Sequence, residues 1–433
     1  MPVLMLPLPQ NNMLQAADSY LLKHSVVPLI DTVPAGELGF VVCIPAYKEP
    51  DPLLPIISLY NADAPQCAVE VLILFNYPEN SSSAGIELTT QGYDMVKKWA
   101  AENNTEKFRV YPILAGGIPL KHAGAGMARK LVMDQAVTRL RAAENPAGII
   151  TGFDADSLCD KNYFTAITEQ FTVNPETTGA SIHFEHPISG NEYPEQAYKG
   201  ITLYETHLRY ISQAMRYSGF PYFFHTVGSS FAVRADIYVA QGGMNRRKAG
   251  EDFYFLHKIM PLGEYVNISG TTIIPSPRTS DRVPFGTGVS IAKWINDNDT
   301  VFYTYPFAVF ESVKPLFNSI EGLYRQSLKN AEKLITDNTL VSFLEKEGWE
   351  KKWDEIQSNC SSIVNFKKRF FRWFDGFLFV KYLNYYIREE MPKSPLQKEC
   401  TELAKCYGWK DFPDSFPEIL EWLREEDKKI SLL

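Results

Sequence analysis

Residues 148–160 read GIITGFDADSLCD, an apolar, β-prone run that stops at Asp154 and Asp156, two carboxylates one residue apart. Carboxylates this close disfavour joint ionisation unless a cation lies between them. Three uses suit such a strand end. Hard carboxylate oxygens can ligate Mg²⁺ or Mn²⁺ carried on a nucleoside diphosphate. The pair can serve as nucleophile and acid in phosphoryl transfer. Or Asp156 caps the next helix and Asp154 merely ends the strand. A second acidic pair, Glu251–Asp252 in AGEDFYFLHKI, opens a helical pattern. There the helix dipole is expected to keep Asp252 ionised at neutral pH. The alternative is an ordinary N-terminal acid. Arg278 and Arg282, in PSPRTSDRVPFGTG (275–288), suit a flexible lid over a diphosphate, or a plain solvent-facing loop.

The elements that must position these groups alternate. LGFVVCIPA (38–46), AVEVLILFN (68–76), FRVYPIL (108–114), AGIITGF (147–153) and TGASIHFEH (178–186) read as strands. Helical patterns separate them, over LLPIISLYN, GIELTTQGYDMVKKWAAEN, roughly 124–143 and YFTAITEQFTVN, and another is expected at NMLQAADSYLLKH. Gly116, Gly117, Gly124 and Gly126 are expected to loosen the loop before the third crossover helix. Strand–helix–strand spacing of this kind predicts right-handed crossovers and a mostly parallel central sheet with flanking helices. Ligands of such sheets sit at the carboxyl ends of the strands. Pro45–Glu49, Asn76, the glycine loop and Asp154–Asp156 all follow such ends. From about residue 300 the pattern becomes helical, and the domain expectation is a lead-in (1–36), a catalytic domain (37–298) and a helical C-terminal region (299–433).

The totals narrow the partners. A net charge of −8 offers no basic field for nucleic acid. The six cysteines show no metal-ligand spacing and read as reduced thiols of a cytoplasmic protein. The N-terminal MPVLMLPLPQNN lacks a basic region, so no signal peptide is expected, and no apolar run reaches transmembrane length. His183, His186, His225 and His257 are expected to be structural rather than ligating.

Five segments come in order: VVCIPAYKEP, GAGMARKLVMDQAV, GFDADS, VGSSFAVRADIYVAQGGM and AGEDFYFLHKI. Together, over roughly 38–290, they resemble the family 2 glycosyltransferases of the A-type nucleotide-sugar fold. The resemblance implies that Pro45, Ala46, Tyr47 and Glu49 cradle the nucleoside and that Arg129 lies near the nucleotide. It also implies that Asp154 faces the ribose, that Asp156, with Asp154, engages a Mn²⁺ or Mg²⁺ ion, and that Gly228–Arg234 shape the acceptor pocket. Asp252 of the Glu251–Asp252 pair would be the base. Two positions depart from the family. Asn76 stands where the family grips the base with Asp-Asp or Asp-Asn, and Lys130 replaces an Asn, adding a charge that could meet phosphate.

The implied activity is metal-dependent, inverting transfer of a sugar from a nucleotide-diphosphate sugar to an acceptor hydroxyl on a glycan, lipid-linked sugar, protein or metabolite. A phosphatase of the haloacid-dehalogenase kind would carry its D-x-D on the first strand with Thr or Val following. Here the pair follows the fourth, with Leu158 in that place. A nucleotidyltransferase making nucleotide sugars would want G-x-G-x-R after the first strand. A non-catalytic nucleotide-sugar-binding protein need not have retained the four acids. Finally, FKKRFFRWFDGFLFVKYLNYYIR (366–388) is aromatic around so much of its surface that burial is favoured over peripheral membrane contact, with Asp375 and Lys381 on the exposed side.

Overall fold

A computed structural model describes residues 9–278 and 301–430; Arg282 lies outside them. The described residues form two compact units. One comprises 9–201, 226–278 and 428–430, the other 202–225 and 301–427.

The first unit carries the alternating elements. In chain order they are α1 (Gln10–Lys23), β1 (Leu38–Ala46), α2 (Leu53–Tyr60), β2 (Ala68–Pro78), α3 (Ser83–Asn103), β3 (Phe108–Ile118), α4 (Ala125–Ala142) and β4 (Ile149–Gly152). Then come β5 (Leu158–Cys159), α5 (Tyr163–Val173), β6 (Thr177–Phe184), α6 (Glu195–Tyr217, which from Thr202 onward belongs to the second unit), β7 (Phe231–Arg234), α7 (Ala235–Ala240), α8 (Glu251–Ile259) and β8 (Glu264–Ile274). The strands make one sheet in the order β3-β2-β1-β4-β7-β6-β8-β5. Pairing is parallel from β3 through β4 and between β6 and β8; β7 and the short β5 run antiparallel to their neighbours. The mostly parallel sheet read from the alternation is therefore the fold of this unit. Phe40 to Ile44 of β1 are almost wholly buried, as expected of a central strand covered on both faces.

This order puts a topological switch point at β1. The chain steps from β1 outward to β2 and β3, then returns to lay β4 on the other side. Crevices open at such points beyond the carboxyl ends of the strands. Because Cys43 pairs with Gly152, the segments Pro45–Glu49 and Phe153–Asp156 leave the sheet side by side. The reversed strand β7 adds a third segment. Gly152 pairs with Phe231 at its start, so the incoming Gly228–Ser230 arrives at the same edge. Gly116 and Gly117 do not loosen a loop: both continue β3, whose pairing with β2 extends to Ile118 opposite Pro78. Asn76 likewise sits within β2, buried and opposite Ala115, rather than past its end.

The second unit is helical apart from the two-residue pair β9 (Tyr303–Thr304) and β10 (Ser394–Pro395). Its helices after residue 300 are α9 (Ala308–Ser319), α10 (Leu328–Glu332), α11 (Asn338–Lys346), α12 (Trp349–Ser358), α13 (Ile363–Trp373), α14 (Gly376–Glu389), α15 (Leu396–Tyr407) and α16 (Phe416–Lys429). The aromatic stretch is two helices, not one. Phe366, Phe370 and Phe371 of α13, Phe374 between the helices, and Phe379, Tyr382 and Tyr386 of α14 are buried in the core of this unit. Asp375 is not a solvent-facing intruder. Its carboxylate accepts hydrogen bonds from the Phe377 and Leu378 amides and caps α14, which is what divides the stretch. Lys381 is exposed and pairs with Glu347. Among the described residues no helix is long and apolar enough to cross a membrane, and the six cysteines are free thiols.

A buried ionic network ties the C-terminal helix into this unit. Arg209 bonds Glu205 and Asp427, Arg424 bonds Glu205, and His225 and Gln213 reach Asp427 at 2.9 and 2.5 Å. Burial alone would raise the Asp427 carboxyl, but His225, Arg209 and Gln213 outweigh it and hold it at about 2. Asp427→Ala is expected to lower stability by about 3–5 kcal/mol, because it leaves the fully buried Arg209 undercompensated. A depressed carboxylate pKa stabilises the fold above the unfolded value and loses that contribution as pH falls toward 2. Urea melts at pH 7 and pH 3 check both: the difference between wild type and Asp427→Ala should shrink at the lower pH.

Candidate active site

The candidate site is built from six segments of the first unit, which supply Glu49, Arg129, Asp154–Asp156, Gly228, Glu251–Asp252 and Arg278. Arg129 lies on the second turn of α4 and is almost fully buried. Its Nη2 donates to Asp154 Oδ1 at 2.6 Å and its Nε to Glu251 Oε1 at 2.9 Å. One guanidinium thus joins the end of β4 to the start of α8. Gly228 makes room for it: a Cβ there would collide with the guanidinium of Arg129. Burial alone would lower the pKa of Arg129, but Asp154, Glu251 and Asp252 outweigh it and raise it. The Nη1 atom is buried and has no hydrogen-bond partner among the described residues.

α8 is aimed by the loop before it. The amides of Ala125 and Gly126, orphan donors of the first turn of α4, reach the carbonyls of Lys248 and Arg247. Asn245 Nδ2 donates to the Glu251 carbonyl at 2.8 Å. Gly250, at φ 67°, takes the left-handed conformation that a side chain would resist and turns the chain into α8. Glu251 and Asp252 then occupy the first turn. The helix dipole does not keep Asp252 fully ionised at neutral pH. Burial among surrounding protein, followed by the charge of Glu251, raises it to about 7, and Arg129 and the Phe253 amide only partly offset them. The expectation from the dipole fails because a half-charge at a helix end is weaker than a neighbouring carboxylate in a poorly solvated place.

The other two acids meet a second arginine. Arg278 grips Glu49 with both terminal nitrogens, at 2.9 and 2.5 Å, and its Nε stands 2.6 Å from Asp156 Oδ2. Its backbone N–H donates to Ser276 Oγ, which donates in turn to the Tyr193 hydroxyl. Asp156 therefore does not cap α5, whose N-cap is Asn162. Asp154 and Asp156 both reach solvent, with side chains 36% and 22% exposed. Their hard oxygens fit a divalent cation. Among the described residues no three His, Cys, Asp or Glu side chains surround one point. Such an ion would complete its shell with phosphate oxygens and water, as Mg²⁺ commonly does.

The remaining sequence candidates fall as follows. Pro45 and Ala46 close β1, and the Tyr47 hydroxyl lies 3.3 Å from Ser81 Oγ. Lys130 does not face a phosphate. It is buried against Asp134 at 3.0 Å and the Tyr20 hydroxyl at 2.9 Å, on the side of α4 that holds α1. Successive residues of a helix point about 100° apart, so Arg129 and its neighbour cannot both face the crevice. His183 bonds Glu185, His225 bonds Asp427, and burial pushes His257 down to about 3. The supporting residues Gly228, Asn245, Tyr193 and Ser276 carry no motif that assigns them these contacts; the Tyr193–Ser276 pair is 83 residues apart in the chain.

No protein-family model matches the chain, and no curated protein matches it. Among solved structures it is similar to residues 1–349 of S. aureus TarS in complex with UDP-GlcNAc, at 14% identity and a TM-score of 0.39, covering 87% of this chain and 95% of that one. It is also similar to the mannosyltransferase PcManGT from Pyrobaculum calidifontis in complex with GDP-Man and Mn²⁺, at 16% identity and a TM-score of 0.35, covering 85% and 95%. At scores this low the likeness carries no argument about chemistry.

Proposed function

We propose that this chain is a metal-assisted, inverting glycosyltransferase that moves a sugar from a nucleoside-diphosphate sugar to an acceptor hydroxyl. The observation that carries the reading is the Asp154–Arg129–Glu251 bridge. It fixes an acid at the switch-point crevice to the turn that presents Asp252, a carboxyl near 7. A base tuned to neutral pH is what deprotonating a sugar hydroxyl requires. The order of the five sequence motifs agrees with this assignment.

In this reading Pro45, Ala46, Tyr47, Glu49 and Asn76 border the nucleoside, and the free Nη1 of Arg129 donates to a donor oxygen. Asp252 takes the proton of the acceptor hydroxyl as its oxygen bonds to the anomeric carbon. The bond from that carbon to the diphosphate oxygen breaks on the opposite face, and its electron pair leaves with the diphosphate. Arg278, with Arg282, offsets the charge of the leaving group. Mn²⁺ or Mg²⁺ held by Asp156 and Asp154 would supply further positive charge to that diphosphate.

The test is thermal stabilisation by a panel of nucleotide sugars with and without Mn²⁺. A ligand at a hundred times its dissociation constant adds about 2.7 kcal/mol. One nucleotide class should raise the midpoint with Mn²⁺, and less in EDTA. No response from any nucleotide would sink the reading.

A further inference from the structure

The glycines before α4 have a use that the donor site does not explain. A Cβ at Gly124 would collide with the Lys248 backbone, and one at Gly126 with that of Arg247. The loop Asn245–Lys248 therefore lies directly on the first turn of α4. Its main chain is fixed there: the Arg247 and Lys248 carbonyls accept from the Gly126 and Ala125 amides, and Asn245 Oδ1 accepts from the Arg247 amide. Its side chains turn outward. Arg247 and Lys248 are exposed, as is Lys121 on the turn that leads into α4. Other exposed lysines, such as Lys367, Lys381 and Lys405, sit beside a glutamate. Lys121, Arg247 and Lys248 form no ion pair with a carboxylate among the described residues. In a chain of net charge −8, unmatched cations grouped at one helix end make a local field of opposite sign. Arg247 is also set in place, its guanidinium 3.3 Å from the centre of the Tyr254 ring. A guanidinium stacked on a ring keeps its edge for an oxyanion. Arg246 faces elsewhere, its charge acting on Tyr20 and His24 at the end of α1.

We propose that Lys121, Arg247 and Lys248 form the acceptor-side surface, and that the acceptor is an oligosaccharide bearing acidic groups, phosphate or carboxylate, near the hydroxyl that receives the sugar. This rests on Asp252 as the base and names the class of acceptor. The loop runs straight into the turn that presents Asp252. Four peptide units link Lys248 to Asp252, so their Cα atoms lie within about 14 Å of each other. An oligosaccharide with its hydroxyl at Asp252 is long enough to reach the cations as well. The diphosphate of the donor is matched already by Arg278 and the divalent cation of the proposed site, which leaves these three side chains for another anion. Arg247 offers that anion a directed fork, and the two lysines add attraction that salt screens. A neutral glycan gains nothing from either.

The experiment measures binding of fluorescent oligosaccharides to the full chain by anisotropy, at low and at physiological salt. The probes are an oligogalacturonate, a phosphorylated mannose oligomer, a neutral maltooligosaccharide of the same length and a single-stranded DNA of matched charge. At least one acidic oligosaccharide should bind about tenfold more tightly than the neutral one, the scale of two surface ion pairs, and should weaken with salt. Arg247→Gln and Lys248→Gln together should cut that preference to about twofold or less, while Arg246→Gln keeps it. Lys248→Glu, a single change at an exposed side chain, carries the comparison if the double variant does not fold. The inference is overturned if the neutral oligosaccharide binds as tightly as the acidic ones, if the double variant keeps the preference, or if the DNA binds more tightly than either acidic oligosaccharide. The thermal response to nucleotide sugars, read on the same proteins, separates the two proposals. Any of those outcomes with the nucleotide response intact removes the acceptor surface alone. A wild type without nucleotide response removes the donor reading, and the acceptor assignment falls with it.

Discussion

Asp252→Asn lowers turnover by roughly two to four decades and leaves nucleotide binding in place. The amide keeps the shape and can still accept the Phe253 amide hydrogen bond, which spans 2.7 Å to Oδ1. What it cannot do is accept the acceptor's proton. In the wild type, the rate should climb as pH rises through about 7, where the carboxyl becomes the free base, and the variant should lack that limb. The stability effect has the opposite sense. With the folded value raised from 3.8 to about 7, the unfolded chain loses this proton first as pH rises. Stability therefore declines between about pH 4 and pH 7, and Asp252→Asn removes the decline. Release of nucleoside diphosphate across pH, with parallel thermal melts, checks both. Turnover within a few-fold of wild type would show that another group is the base.

Asp156→Ala abolishes the metal dependence of nucleotide binding. Asp156 pairs with the partly exposed Arg278, whereas Asp154 is tied to the buried Arg129 and, through it, to Glu251. Without Asp156 a divalent cation would depend on that tied carboxylate and the diphosphate alone. Nucleotide affinity measured by calorimetry in Mn²⁺ should drop to the value that the wild type shows in EDTA. The same affinity for wild type with and without Mn²⁺ would remove the metal from the proposal. Fold loss is a minor risk, since the partner left behind, Arg278, keeps its two bonds to Glu49.

Both predictions depend on residues that no local pattern could assign to one another. Arg129 and Glu251 are 122 positions apart, and Arg278 and Glu49 are 229 apart. The chemistry of each pair is legible only after the sheet brings them together. Lys130 is the instructive failure. Its charge beside Arg129 suggested a phosphate contact, but helical rotation turned it toward Asp134 and Tyr20.

The sequence by itself determined β1 to β4, β6 and the helices between them, in order; β5, β7, β8 and α6 emerge only in the fold. Continuous apolar runs such as Phe40–Ile44, bounded by Pro, Gly and charged turns, can only be satisfied as strands covered on both faces. Alternation with amphipathic helices then dictates a mostly parallel sheet, and with it the edge where the acids must emerge. These are short-range consequences of periodicity and burial. Tertiary structure alone decided which acid meets which arginine, where the stretch from Phe366 to Arg388 divides, and how readily Asp252 ionises. Those outcomes depend on the solvation and charge around each group. Such fields are summed over residues distant in the chain, and no window of sequence contains them.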